Sequence, residues 1–485
     1  MQQAQQRRNG MRAFMIDFSK IQSYKENNRI EAKRATGGFP GSLWETYSAF
    51  ANTYGGIIML GVEEMPDKFL RTVKLPDPDR LVEIFWQSAA DRQKISANIL
   101  CAQDIQIVEA GGNRIVAIEV PRANRRDKPV YLGTDPYTGS YRRNGEGDYR
   151  CTRAEVDAML RDRCDVSKDS EILIQFTSDC FDKDSVSWFR RKSQQRMPLP
   201  ESIEDFLRDV GAAAVGKDQE LHPTIGGLLM MGRQECIQNE FPNLQLEYYE
   251  QTERYALPFR YTGKNLFDFY ETITSRLQKR QYAAWYGIHM DDEILQAVSE
   301  ALANALMHAD YFASAGVRME MTPEAVRITN PGGMRICGED AFQDGLSDPR
   351  NMTLIHLFHL IQVGNRSGSG LRKIRSAWKR HGWRVPELRE SFGPDKTILL
   401  LPFSVEERNG GSEENPYRER EEYERKKLAV LEYLTFYVTG TAEELAKAFG
   451  ISKFAVEKVL SAMKEEGIIE KSVPEAGKTA YQLTS

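Results

Sequence analysis

The segment from Pro40 to Val62 constrains this chain more than any other. Pro40 and Ser42 open a helix in PGSLWETYSAFANT, with Leu43, Tyr47 and Phe50 on one face. Gly55-Gly56 stops it. IIMLGV follows, a continuous apolar run of strand length bounded by turn residues, which reads as a buried strand. A helix against a fully buried strand needs a sheet with a covered face, so an α/β layer is expected. A helix near Leu81 to Ala90 comes next. IQIVEA, a Gly-Gly turn and RIVAIEV then read as a hairpin. After the basic loop Pro121 to Pro129, PVYLG reads as a short strand, and Thr152 with Glu155 makes a capping box for a further helix.

The whole chain has 485 residues, which suggests three domains of about 150 residues each. Residues 161–289 show a helix near Ile203 to Val210 and the apolar run TIGGLLMMG. From Asp291 the helix EILQAVSEALANALMHA is strongly periodic, VRMEMT and AVRITN form a second hairpin, and TILLLPF ends the region as a strand. Residues 404–420 are charged, contain Gly and Pro and lack apolar periodicity, so they read as a linker. The expected plan is an α+β multidomain protein: a module over 1–160, an α/β segment over 161–289, a region over 290–403, the linker, and a domain over 421–485.

Several classes are excluded. No apolar run approaches the ~20 residues of a membrane span, and the basic N-terminus has no apolar stretch behind it, so a cytoplasmic protein is expected. The six cysteines form no CxxC pair, which argues against a zinc knuckle. His356 and His359 share a helical face with Leu, Ile and Phe, the pattern of core packing. Net charge is −5, but residues 1–160 hold 23 Lys plus Arg against 20 Asp plus Glu. That is +3, leaving −8 for the rest, so the N-terminal module is the better partner for phosphate.

SAFANT (Ser48 to Thr53), Gly55-Gly56, and Gly61-Val62-Glu63-Glu64 together resemble the Schlafen AlbA-like domain, labelled DNA-binding in bacterial proteins. Glu26, Glu31 and Lys33 upstream match its Glu, four residues, Glu-x-Lys pattern. Pro129 to Tyr131 and Tyr141-Arg142-Arg143 match its downstream strands. The resemblance covers about residues 14–160. It implies nucleic-acid binding, to DNA or RNA. Arg122, Arg125, Arg126 and Lys128 in one loop, and Arg142 and Arg143 in another, would clamp phosphates. The plainer alternative is solvated loop charge. In some Schlafen nucleases two such glutamates and a later acidic residue hold a divalent ion. Here Glu26, Glu31 and Glu63 would bind Mg²⁺ or Mn²⁺ beside Lys33, with Glu64 the other choice for the third ligand.

A second set of motifs runs over residues 290–403: Glu300, Asn304, His308, Asp310 and Tyr311, then Asn330 to Gly333, then Gly368-Ser369-Gly370. In this order they resemble a degenerate GHKL-type ATPase region, the type labelled after the RecG C-terminus. The resemblance implies a site for ATP and Mg²⁺. Asn304 would coordinate the metal, Glu300 would act as base, Gly332 and Gly333 would turn beside adenine, and Gly368 and Gly370 would admit phosphates at a helix N-terminus. Asn330 stands where the family has Asp, which implies altered base selectivity. Gly211-x4-Gly216-Lys217 is a decoy: Asp218 replaces the Ser or Thr of a P-loop, and a helix precedes it.

TAEELAKAFGISKFAVEKVLSAMKEEG and the strands after it look like a winged helix-turn-helix, with Lys453 at the start of the second helix. A helical interaction domain is the alternative, because residues 421–485 hold nine basic against eleven acidic side chains. Three functions remain. The leading one is a DNA-binding, nucleotide-binding transcriptional regulator, with a homodimer as its natural assembly. The second is an enzyme, a weak ATPase or a metal-dependent nuclease acting in phage defence. The third is a protein–protein scaffold.

Overall fold

A computed structural model describes residues 16–251, 258–280, 290–336, 340–342, 347–364 and 369–404, and parts of 427–484. The chain divides into two compact units, Met1–Glu406 and Glu407–Ser485. No helix among the described residues is long and apolar enough to cross a membrane.

The first unit opens with the expected α/β layer. Strand β1 (Ile30–Lys33) runs parallel to β2 (Gly56–Leu60), and β6 (Asn113–Val120) and β5 (Ile105–Ala110) complete the sheet in the order β1-β2-β6-β5. Helix α1 (Leu43–Asn52) and helix α2 (Pro78–Ala90) pack on one face through Trp44, Tyr47, Phe50 and Phe85. Every residue of β2 is buried, as an unbroken apolar run requires. Gly55 holds a φ of +73°, and a Cβ there would lie 2.8 Å from the backbone of both Val120 and Arg122. The glycine permits both the turn and the approach. Two short hairpins follow from the sheet, β3 (Val62–Glu64) with β4 (Leu70–Thr72) and β7 (Tyr141–Asn144) with β8 (Gly147–Arg150). Helix α3 (Arg153–Arg163) carries the expected Thr152–Glu155 capping box. The expected PVYLG strand is instead a pair of isolated bridges at Tyr131 and Leu132.

The polar residues of SAFANT explain why that segment is never apolar throughout. Asn52, fully buried, donates to Val130 O (2.8 Å) and Tyr141 O (3.0 Å) and accepts from Val130 N (2.8 Å). Ser48 Oγ donates to Val130 O (2.6 Å) and accepts from Tyr141 N (3.0 Å). Thr53 Oγ1 accepts from Arg143 N. One helix face thus holds two later segments by satisfying their backbone groups.

The second part of this unit is a six-stranded sheet in the order β12-β11-β13-β14-β16-β15. Its strands are β11 (Leu246–Glu250), β12 (Phe259–Thr262), β13 (Val317–Met321), β14 (Ala325–Pro331), β15 (Glu387–Ser391) and β16 (Lys396–Pro402). The expected break between residues 289 and 290 therefore falls within one sheet: β11 runs parallel to β13 although it comes from the middle segment. TIGGLLMMG is a buried helix, Ile225–Met231, with Thr224 as its cap. Gly216 and Lys217 lie in the turn between β9 (Ala213–Val215) and β10 (Leu221–Pro223), behind helix Ile203–Asp209, so no phosphate loop forms there. Helices α4 (Asp292–His308), α5 (Met352–Leu360) and α6 (Gly370–Arg380) join the core of the sheet.

In the second unit, α7 (Ala442–Phe449) and α8 (Lys453–Glu465) precede β18 (Ile469–Ser472) and β19 (Ala480–Leu483), with β17 (Thr439–Thr441) completing the sheet order β17-β19-β18. Leu445, Val456, Val459, Leu460 and Met463 face inward together. The expected linker lies almost wholly outside the described residues.

Candidate functional site

Four structural elements converge on one cavity of about 420 Å³. Glu300 and Asn304 lie one turn apart on α4 and both line it. Asn330, at the end of β14, and Gly333 line it from the following turn; Gly370 opens α6 from the far side. Gly332 turns with a φ of +92° at the rim. Gly368 lies outside the described residues. A Cβ on Gly370 would come within 2.8 Å of Glu300 Oε1 and 3.0 Å of Asn304 Nδ2. The bare glycine therefore lets the N-terminus of α6 approach the Glu300 carboxyl and the Asn304 amide closely. Burial raises the Glu300 carboxyl pKa, while Lys373 and the Gly364 N–H counter it. The rest of the lining is largely apolar, including Met307, Ile336, Ile355, Leu388 and Leu399. A volume in this range and an apolar wall with a few polar groups suit a base joined to phosphates.

Thr397 and His308, to which the sequence reading gave no role, also line the cavity. Thr397 on β16 lies directly opposite Asn330 in the ladder, and its hydroxyl donates to Gly332 O (2.8 Å). His308 lines the cavity beside Arg350 and Arg335; burial, then those two charges, push its pKa down to about 4. The His-x-Asp-Tyr string was a signal for that position, but not for its neutral state.

The carboxylates of the N-terminal module are arranged differently from expectation. Glu31 and Lys33, on β1, form an ion pair at 2.9 Å, and Arg143 lies 2.8 Å from the other Glu31 oxygen. Glu26 accepts from Ala32 N (2.8 Å). Burial raises its pKa first, and the charges of Glu31 and Glu64 add to the rise. Glu64, not Glu63, is thus the third acid of this cluster. Glu63 points the other way, toward Arg34 (3.6 Å), because adjacent strand residues face opposite sides. Glu64 pairs with Lys68. Among the described residues no group of three acidic, His or Cys side chains could hold a metal ion. Glu31 is bracketed by two cations, so the donor set does not fit Mg²⁺ or Mn²⁺ as it stands.

Residues 26–152 match the family described as Schlafen, AlbA_2. This region is similar to Schlafen AlbA_2 domains. Residues 314–395 match the family described as "Putative ATP-dependent DNA helicase recG C-terminal", and residues 157–247 match a domain of unknown function, DUF8451. No curated protein matches the chain. Two similar solved structures are the DIP2311 protein from Corynebacterium diphtheriae and the N-terminal domain of a RecG-related protein from Nitrosomonas europaea. The first is 18% identical, covers 94% of this chain and 92% of that one, and has a TM-score of 0.39. The second is 31% identical, covers 28% and 95%, and has a TM-score of 0.23.

The basic residues of the AlbA_2 domain that were expected to be exposed clamps are mostly buried. Arg122 grips Glu390 and donates to Met334 O (2.7 Å). Arg142 grips Asp395, and its side chain is 8% exposed. Arg143, 1% exposed, binds Glu31, Asp148 and the carbonyls of Asn27 and Ile30. Lys128 donates to Asn52 O, and burial lowers its pKa. Arg125 pairs with Asp348 and Asp165. Arg126 alone among them is exposed, at 67%, and it too pairs with Asp165. Lys453 begins α8, and its side chain lies outside the described residues. Other basic residues of this region are exposed, and one group of them lies around the β3–β4 hairpin: Lys25, whose Nζ stands 4.4 Å from the Phe69 ring, Phe69 itself at 39%, Arg34 and Arg71.

Proposed function

We propose that this protein is a nucleotide-responsive nucleic-acid-binding regulator: its cavity takes ATP with Mg²⁺, and its AlbA_2 domain contacts DNA or RNA. The observation that carries this reading is the convergence of Glu300, Asn304, Asn330, Gly333 and Gly370 on one cavity. Asn304 would hold the metal and the α6 N-terminus the phosphates, and Asn330 with Thr397 would read the base edge. When bound, Mg²⁺ supplies charge neutralisation between the phosphates. Glu300 is placed one turn from Asn304 to receive a proton from water, so weak ATP turnover belongs to the same reading.

The names Schlafen AlbA_2 and RecG C-terminal support nucleic acid as the partner. The phosphate-contacting surface is assigned to Lys25, Arg34, Phe69 and Arg71 in place of the buried arginines; cations beside an exposed ring suit a backbone with unstacked bases. The order of α7, α8 and the hairpin supports reading the second unit as a winged helix, a second contact to DNA. A transcriptional role and a cytoplasmic location follow from that reading. The nuclease alternative is less favoured, since Glu31 is already neutralised by Lys33 and Arg143.

Titration calorimetry of ATP with Mg²⁺ into the full chain tests the pocket. Saturable heat is expected for the unaltered protein, and a loss of at least tenfold in affinity for Asn304→Ala. Equal heats from the two proteins would remove the cavity as the nucleotide site.

A further inference from the structure

The rim of the cavity, Gly332 to Arg335, is bonded directly by Arg122 and Asp162, and indirectly by Arg142 and Asp162 through Asp395 and Arg350. Gly332 N donates to the backbone of Asp395 (2.9 Å), whose carboxylate Arg142 grips. Gly333 O accepts from Arg350 (2.9 Å), and Arg350 is fixed by Asp162 (2.9 and 2.8 Å). Met334 N donates to Glu390 (2.6 Å) while Met334 O accepts from Arg122, which also grips Glu390. Arg335 binds Asp162 directly (2.9 and 2.8 Å). Tyr54 adds an edge-on ring contact to Phe392 at 4.9 Å.

Strand β7 connects this rim to the acid cluster around Glu31. Arg142 and Arg143 are neighbours, so their side chains leave opposite faces. Arg142 serves the rim through Asp395. Arg143 serves the acid cluster through Glu31 and the carbonyls that flank β1. Both are buried and multiply bonded, so neither can shift without moving the strand. A buried two-sided element of this kind is a contiguous chain of contacts from the rim to the acid cluster.

We infer that Arg142 and Arg143 are positioning residues that link occupancy of the cavity to the state of the Glu26–Glu31–Glu64 cluster. A ligand that orders the rim holds Arg142, β7 and Arg143, and so keeps Glu31 in its ion pairs. Linkage is reciprocal: whatever pulls Arg143 from Glu31 loosens the rim and weakens the cavity's ligand by the same factor, about fivefold or more for coupling of ordinary size. The part of this inference that concerns nucleotide rests on the function proposed above; the link between the rim and the cluster does not.

Amide hydrogen exchange on the full chain separates the two. Without nucleotide, Glu31→Gln, which touches no rim residue, is expected to speed exchange at 330–336 several-fold, and to add nothing further in an Arg142→Gln background. With ATP and Mg²⁺, protection is expected at 330–336 and also at 26–34, the second lost in Arg142→Gln and partly restored in Arg142→Lys. Thermal melts identify any variant that is globally unfolded, and Asp395→Asn, which weakens the same link from its other end, then stands in for it. Unchanged rim exchange in Glu31→Gln overturns the link. If ATP protects nothing in any protein while the first result holds, the link stands and the nucleotide assignment falls.

Discussion

Asn52→Leu is expected to destabilise the first unit by about 3 kcal/mol, roughly 4 °C in Tm. Leucine has the same number and branching of side-chain heavy atoms as asparagine, so no cavity forms. The cost comes from groups left behind. Val130 N loses its acceptor, Tyr141 O loses a donor, and Val130 O keeps only Ser48 Oγ. Each stranded buried group costs about 1–3 kcal/mol. Ser48→Ala should cost less, because the Asn52 bonds survive it. A denaturant or thermal melt checks both. A loss below about 1 kcal/mol for Asn52→Leu would mean that the SAFANT polar residues do not lock the two later segments.

Gly370→Val is expected to abolish nucleotide binding, at least about 100-fold in affinity or roughly 3 kcal/mol, while the unit stays folded. The position is helical and its φ is not in the left-handed region, so a side chain adds no backbone strain. Replacing glycine in a helix contributes a few tenths of a kcal/mol or more in favour of folding. The damage is local: the new Cβ meets Glu300 and Asn304 in the space where the cavity narrows. A thermal-shift series with ATP and Mg²⁺ reads both effects together. The variant should still melt cooperatively, within a few degrees of the unaltered protein, and fail to shift with ligand. A full ligand-induced shift would show that the nucleotide sits elsewhere.

Much of this arrangement is legible in the sequence because it is local. The 3.6-residue stripes of α1 and α4, the apolar run of β2, the capping box of α3 and the order of the ATPase-like motifs are all patterns within a few residues. Convergence of Glu300, Asn304, Asn330 and Gly370 followed from motif order alone. What could not be read is partnership over distance. Arg122 and Arg142 look like free loop charges until Glu390 and Asp395 arrive 268 and 253 residues later. Charge is visible in a sequence; its neutralising partner is not. The choice between Glu63 and Glu64 failed for a related reason. Gly61, at a φ of +86°, turns the chain between β2 and β3, so the side-chain alternation of β2 cannot be carried across it. Strands β11 and β12 enter the six-stranded sheet from before the long helix, and no local signal announces a parallel partner 71 residues away (Leu246 beside Val317).

The most direct test is fluorescence anisotropy of labelled duplex DNA and single-stranded RNA with the full chain, across a salt series, with and without ATP and Mg²⁺. The account predicts binding to at least one of them whose log affinity falls linearly with log salt, a shallower slope for Arg34→Ala with Arg71→Ala, and a change in affinity when nucleotide is added. Salt-independent binding, or none to either nucleic acid with nucleotide present or absent, would contradict it.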